Sequence, residues 1–514
     1  MKYFNSHNAR DILLSLLYTI LFLCYYGIIF QTADQGEHLS LVYKLLQPEL
    51  FKKDFYVQHA TDTVTIRYVY VHTLSFISKL IPIKIAVYGL LFICIYASIR
   101  ACIALSNLIY DNKSSLNLAP FFIFFVFYYW TIGGNSIQYN LLISSSFAKA
   151  FSLWAIYFFL RRRYIITGIL LGIAGNFQLL VGLQLFVIFL GVIILEKIFL
   201  KNTPLKSILV LAVGYLGLSS WLLVRIVQQQ FLAPQCDETL FYTILYRFRN
   251  PQHYIPSLFP IQDYLKLSIL LATGTVIIFI YAKKQYYSRI LFFNTVIVIG
   301  LITYSICIEF LGINAIGKSQ FFKSTIWLQM ISSLSIASYI HHKILYNKTL
   351  YNITMIILLF IYFVFQTYKG NTSWHWDTRS SQLKDLTSMH DYIYNYTPVD
   401  AMALTFPKDE SFICEAKRSQ YVAFNPIIHE SCYMQEWLRR YEHLLDHRIN
   451  MDSIVNQGWD YLQNQYPSMV NRHYKEFDYI LLPKNSIKDI AIIKHLELQF
   501  SSKFYTLYKT KSKH

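Results

Sequence analysis

Apolar and polar positions divide the chain into two parts with different patterns. Residues 1–370 contain eleven apolar stretches separated by short polar segments, and several stretches approach the roughly 20 residues that a helix needs to cross hydrocarbon. Runs such as 12–30 and 208–227 hold no acidic residue. We therefore predict about 11 transmembrane helices, near 12–30, 83–105, 118–132, 144–160, 164–180, 183–200, 206–228, 264–282, 290–310, 325–341 and 350–368.

Residues 371–514 alternate helical and strand patterns, which is typical of a small α/β domain. The first helix ends at Thr397-Pro398, because proline disfavours helical backbone in the residue before it. The pattern predicts helices at 382–396, 435–448 and 452–465, and strands at 401–406, 421–424, 477–482 and 504–508. The predicted fold class is mostly α, a polytopic helix bundle over 1–370 followed by an extracytoplasmic α/β domain over 371–514.

The basic residues predict the orientation of the bundle. Short cytoplasmic loops are enriched in Lys and Arg, and alternation of eleven spans places Lys2, Arg10 and the triplet Arg161-Arg162-Arg163 on one side. The N-terminus is then cytoplasmic and the tail lies outside. Two long loops, 31–82 and 229–263, also lie outside, and 64–80 is predicted to be an interfacial helix.

Composition agrees with a membrane protein. Charged residues make up 15% of the chain, whereas soluble domains have about 25%. The net charge of +17 is explained by basic residues at the cytoplasmic ends of spans, so no nucleic-acid partner is expected. Richness in Ile, Lys, Asn and Tyr suggests a bacterial origin and hence the cytoplasmic membrane. Cys414 and Cys432 in the tail could form a disulfide in an oxidising compartment.

Acidic residues follow directly after the first span. Asp34 and Glu37 are three residues apart, so on a helix both carboxylates share a face. A partly desolvated carboxylate can act as a general base on an acceptor hydroxyl, or it can hold a divalent cation such as Mg²⁺ or Mn²⁺. His38 and Asp54 in the same loop are candidate substrate-binding residues. The alternative is a capping box, with Asp34 as N-cap and Glu37 as its partner.

Cations and amides near the same predicted face form a second candidate group. Lys149, Arg225 and Lys323 could converge on a phosphate, which needs several cationic or N–H donors. Alternatively, each snorkels separately to the interface. Asn176 and Gln178 would place amides in a buried position, either to contact substrate or to join helices. The chain has no Walker loop, GxGxxG, HExxH or GxSxG motif, so nucleotide hydrolysis and serine hydrolase chemistry lack support.

These residues and their layout resemble the C-type glycosyltransferase superfamily, which uses polyprenyl-phosphate sugars, and in particular a bacterial branch with an outer C-terminal α/β domain. The tail motifs of that branch correspond here to Thr397-Pro398-Val399-Asp400-Ala401, Pro407, Arg418-Ser419 and Glu436-Trp437-Leu438-Arg439-Arg440. Gln178 stands where that branch has His. The resemblance implies a catalytic acid at Asp34, with Glu37 as the second choice. Many members carry Asp-x-Asp or Asp-Glu, whereas this chain has Asp34-Gln35-Gly36-Glu37.

The expected function is therefore an inverting sugar transferase of the cell envelope. It would move a glycosyl group from a polyprenyl-phosphate donor to a glycan, lipid or protein acceptor at the outer face of the membrane. One alternative is a polysaccharide polymerase or ligase that uses Arg247, Arg249 and His253 of the second loop. Another is a flippase for lipid-linked saccharide, which predicts polar residues through the bilayer midplane and related halves of the chain.

Overall fold

The computed structural model describes residues 2–110, 117–201, 204–232, 236–344, 362–364, 367, 380–451 and 454–511. The chain is mostly helical, with a small sheet near the C-terminus. Within the described residues, six helices are long and apolar enough to cross a membrane, and they indicate a membrane protein. They are Ala9–Tyr26, Ile83–Tyr110, Leu179–Leu200, Lys206–Val227, Ile261–Tyr281 and Lys284–Phe310. The predicted count of about 11 spans is not confirmed.

Three further predicted spans form shorter helices, Ser144–Leu160, Tyr164–Phe177 and Thr325–Tyr339. The predicted span at 118–132 is wrong. A short helical segment there ends at Val126, and the chain then runs without regular structure to Ile143. Directly after the predicted span, Gly133 and Gly134 adopt positive φ angles of 82° and 64°, which a right-handed helix does not contain. The predicted span at 350–368 lies almost wholly outside the described residues.

The chain divides into two compact units, which we describe separately. The bundle unit comprises Met1–Ile28, Tyr88–Leu223 and Gln252–Asp377. The loop–tail unit comprises Ile29–Val87, Val224–Pro251 and Thr378–His514, so it combines most of both predicted outer loops with the C-terminal region.

Close backbone contact is a feature of helix packing in the bundle unit. A Cβ on Gly168 would meet the Leu211 carbonyl oxygen, and one on Gly214 would lie 2.8 Å from the Ile165 carbonyl oxygen. Small residues allow this approach, which is how apolar helices associate where hydrophobic burial provides little driving force. A buried ion pair also joins two segments of the bundle unit: Arg289 Nη2, on the helix Lys284–Ser305, lies 2.5 Å from Glu196 Oε2.

The loop–tail unit contains a five-stranded sheet. Its strands are Met402–Leu404 (β1), Ser419–Gln420 (β2), Tyr479–Pro483 (β3), Leu496–Ser501 (β4) and Tyr505–Thr510 (β5). The strand order is β2-β1-β3-β5-β4. Strand β1 is parallel to β2 and β3, whereas β5 is antiparallel to β3 and β4.

The predicted strand at 421–424 is wrong, since β2 ends at Gln420. The next carbonyls bind side chains of the helix Ser431–Leu445 instead of a neighbouring strand. Tyr421 O accepts a hydrogen bond from Arg440, and Ala423 O accepts one from Trp437 Nε1. The other tail helices are Ser381–Tyr396, Phe412–Ala416 and Gly458–His473.

The two loops contribute helices of their own to this unit. The first loop forms Ala33–Leu46, Phe55–Asp62 and Tyr68–Ser78, the last of which matches the helix predicted at 64–80. The second loop forms Glu238–Tyr242 followed by a π-helix, Thr243–Arg249. A disulfide joins Cys236 to Cys432, 196 residues apart, whereas Cys414 is buried and free. The suggested Cys414–Cys432 pair is therefore wrong, because Cys432 bonds to a loop cysteine that the tail sequence alone does not reveal.

Candidate functional site

Asp34 and Glu37 occupy the first turns of the helix Ala33–Leu46. Thr32 is the N-cap and makes no side-chain cap hydrogen bond, so the capping box considered for Asp34 and Glu37 is absent. Asp34 is exposed, and it makes no hydrogen bond or ion pair with any residue that the structure describes. Its carboxylate is therefore available to solvent or to a ligand.

Glu37, in contrast, is buried and paired. Its Oε2 lies 2.5 Å from Nη2 of Arg67, and Arg67 Nη1 donates to the Ile427 carbonyl oxygen at 2.9 Å. Burial raises the pKa of Glu37 to about 7, although the Arg67 charge acts in the opposite direction. A carboxyl group with this pKa can take up or release a proton near neutral pH.

The tail adds a third acid, Glu410, to this region. A Cβ on Gly36 would lie 3.1 Å from the Glu410 carbonyl oxygen, so glycine permits the close approach of the two segments. Burial raises the pKa of Glu410, and the nearby Asp34 charge raises it further. Sequence reasoning missed Glu410, since no local pattern links residues so far apart along the chain.

His38 and Asp54 have buried positions in the same unit. Burial and the charge of Arg67 hold the pKa of His38 well below its usual value, so this side chain is neutral. Asp54 caps the helix Phe55–Asp62 by accepting from Val57 N, and its other oxygen accepts from Gln420 N, both at 2.9 Å. This double role accounts for Asp54 without a ligand.

In the bundle unit, one loop contacts the side chain of Lys149 and the backbone of Lys323. Lys149 is buried, and its Nζ donates to Asn135 Oδ1 at 2.8 Å and to the Ser136 carbonyl oxygen. Asn135 Nδ2 in turn donates to the Lys323 carbonyl oxygen at 3.1 Å. Burial and the Lys323 charge lower the pKa of His253 to about 4. We call Lys149, Lys323, His253 and Asn135 the cationic cluster.

The other predicted binding residues lie outside this cluster. Asn176 Nδ2 donates to Gly172 O within its own helix and to Leu218 O of the helix Lys206–Val227, which supports the helix-joining alternative. Gln178 accepts a hydrogen bond from Ser144 at 3.3 Å. Arg225 is exposed and belongs to the loop–tail unit.

The arginines considered for a polymerase differ in environment. Arg247 is exposed. Arg249 is buried, and its guanidinium lies 4.4 Å from the ring centroid of Trp437. It donates to backbone carbonyls of the segment Phe424, Asn425 and Pro426. Arg249 thus holds the second loop against the tail within the loop–tail unit.

Comparison with protein-family models and with curated proteins finds no match for this chain.

Proposed function

We propose that this protein is a lipid-linked sugar transferase that acts at the outer face of a cytoplasmic membrane. The observation that supports the proposal is the environment of Asp34. This exposed carboxylate follows the first membrane-type helix and has two acids of raised pKa beside it. Such shifts are typical of groups that exchange protons during catalysis.

In the proposed reaction, Asp34 accepts the proton of the acceptor hydroxyl as that oxygen attacks the anomeric carbon. The bond from that carbon to the polyprenyl-phosphate oxygen breaks, and the phosphate leaves with its negative charge.

A divalent cation near Asp34 could not use Glu37 as a ligand. Arg67 already holds Glu37, so Asp34 and Glu410 are the carboxylates that would bind Mg²⁺ or Mn²⁺. Such an ion would supply charge stabilisation for the leaving phosphate.

The disulfide supports the proposed location of the loop–tail unit. Disulfides persist in oxidising compartments and are rare in the cytosol. The Cys236–Cys432 bond joins the second loop to the tail, and the sequence predicts both to lie outside.

To test the proposal, Asp34 is replaced with Asn in cells whose sole copy of the gene is carried on a plasmid. Loss of a general base costs about 10²–10⁴-fold in rate, so we expect the surface glycan or glycolipid made by the wild type to disappear. Asp62→Asn is the matched control, because Asp62 is an exposed acid of the same loop. An unchanged glycan profile in Asp34→Asn cells at equal protein level would refute the role of Asp34.

A further inference from the structure

Two histidines and a glutamate meet where two tail helices end. His443 lies in the last turn of Ser431–Leu445, and His473 is the last residue of Gly458–His473. Glu476 places one carboxylate oxygen 3.0 Å from His443 Nε2 and the other 2.7 Å from His473 Nδ1. One donor atom from each of the three residues lies within 4.8 Å of the others. The three side chains therefore converge on a single point.

We propose that His443, His473 and Glu476 bind a divalent transition-metal ion, with Zn²⁺ as the expected occupant. Imidazole nitrogen suits Zn²⁺, whereas Mg²⁺ and Ca²⁺ prefer oxygen ligands throughout. Zinc bonds of about 2.0–2.2 Å in tetrahedral geometry place neighbouring ligand atoms roughly 3.3 Å apart. The two histidine–glutamate separations, 3.0 and 2.7 Å, are slightly shorter than this, so an ion would replace the hydrogen-bonding protons with small outward movements of these side chains.

Asp446 provides a separate argument for a metal site. Metal-bound histidines commonly turn their second ring nitrogen towards a carboxylate, which fixes the ring and its tautomer. His473 faces Glu476 with Nδ1, while its buried Nε2 lies 3.2 Å from Asp446 Oδ1. The geometry there falls short of a directed hydrogen bond. Arg472 Nε, 3.7 Å from Asp446 Oδ2, holds the carboxylate from the other side.

The side chains of His443 and Glu476 are partly exposed, so the proposed metal site is open to water on one side. The side chains of His443 and Glu476 are 42% and 44% exposed, so their mutual hydrogen bond alone stabilises the fold little. The exposed side leaves space for water as a fourth ligand, next to three protein ligands. A bound ion would fasten the ends of the two helices to each other and to the turn before β3.

Zinc binding by the full-length protein in detergent tests the proposal. The protein is purified with a tag that lacks histidine, stripped with a chelator and titrated with ZnCl₂. We expect one Zn²⁺ per chain, no comparable binding of Mg²⁺, and affinity weakened at least about tenfold in both His443→Gln and Glu476→Gln. His447→Gln is the matched control. His447 is an exposed histidine four residues along, whose nitrogens face Leu445 O and the Tyr461 hydroxyl.

Thermal unfolding separates metal binding from general stability. Without zinc, His443→Gln should melt at nearly the wild-type temperature, because the substituted side chain is half exposed. With zinc, only the wild type and His447→Gln should gain stability, since an ion that binds the native state alone shifts unfolding upwards. Equal zinc affinity in His443→Gln and wild type, or a wild type that binds no zinc, would overturn the proposal.

Discussion

At the scale of single residues, His390 shows how the loop–tail unit accommodates buried charge. Its ring lies between two buried carboxylates, with Nε2 2.9 Å from Asp409 and Nδ1 2.8 Å from Glu415. Burial lowers the pKa of His390, but the two acids outweigh it and raise the pKa to about 10. The histidine is therefore charged at neutral pH and pairs with both buried acids.

Replacing His390 with Gln should destabilise this unit by about 3–5 kcal/mol, the usual cost of leaving a buried charge without its partner. The expected observation is a large fall in the thermal midpoint of the purified protein and faster proteolysis of the tail. His495→Gln provides the control, because His495 is exposed. Equal midpoints for wild type and His390→Gln would show that the acids do not depend on His390.

The pKa of His390 also gives this contribution a defined pH dependence. Its value in the folded protein, about 10, lies above the unfolded value of about 6.5. The stabilisation is therefore complete below the unfolded pKa and is lost as pH rises through the folded pKa. The difference in midpoint between wild type and His390→Gln should be largest near pH 6 and should shrink towards pH 10.

At the scale of elements, the sequence predicts best where the signals are local. The helix predicted at 382–396 forms as Ser381–Tyr396, because Ser380 caps its start and Pro398 follows its end. The long apolar runs predicted as spans at 83–105 and 206–228 likewise form the helices Ile83–Tyr110 and Lys206–Val227.

Prediction fails where distant parts of the chain decide the structure. The segment after Val126 is apolar enough for a helix, yet Ile132 uses its backbone N and O to bind the Thr325 hydroxyl at 3.0 Å each. The Cys236–Cys432 disulfide and the approach of Glu410 to Gly36 depend on similarly remote partners. For the candidate site, Asp34 and Glu37 were visible in the sequence, whereas Glu410 was not.

Substitution of Arg249 tests whether this residue anchors the second loop to the tail. Replacing it with Leu removes a cation bound to several carbonyls, and unsatisfied buried groups cost about 1–3 kcal/mol each. We expect a loss of at least about 3 kcal/mol and a lower thermal midpoint. Arg247→Leu is the matched control, two residues away and exposed, and should change stability by less than about 0.5 kcal/mol. Similar midpoints for the two variants would contradict the anchoring role given to Arg249.

At the scale of the whole molecule, the proposed function depends on the side of the membrane that the loop–tail unit occupies. We propose the outside on two arguments, the positive-inside rule applied to the predicted spans and the disulfide, which are independent because one uses loop charges and the other the redox environment. The six apolar helices show neither orientation nor the number of crossings.

Cysteine labelling in spheroplasts can determine that side. Lys488→Cys reports on the tail and Arg163→Cys on a predicted cytoplasmic loop, and both positions are exposed. Background reaction should be low, because the native cysteines are in a disulfide, buried or, for Cys24, partly buried. A membrane-impermeant maleimide should label Lys488→Cys in intact spheroplasts and Arg163→Cys only after permeabilisation. The opposite order would place the acids of the loop–tail unit in the cytoplasm, where the predicted outer-face donor is absent, and it would exclude the proposed reaction.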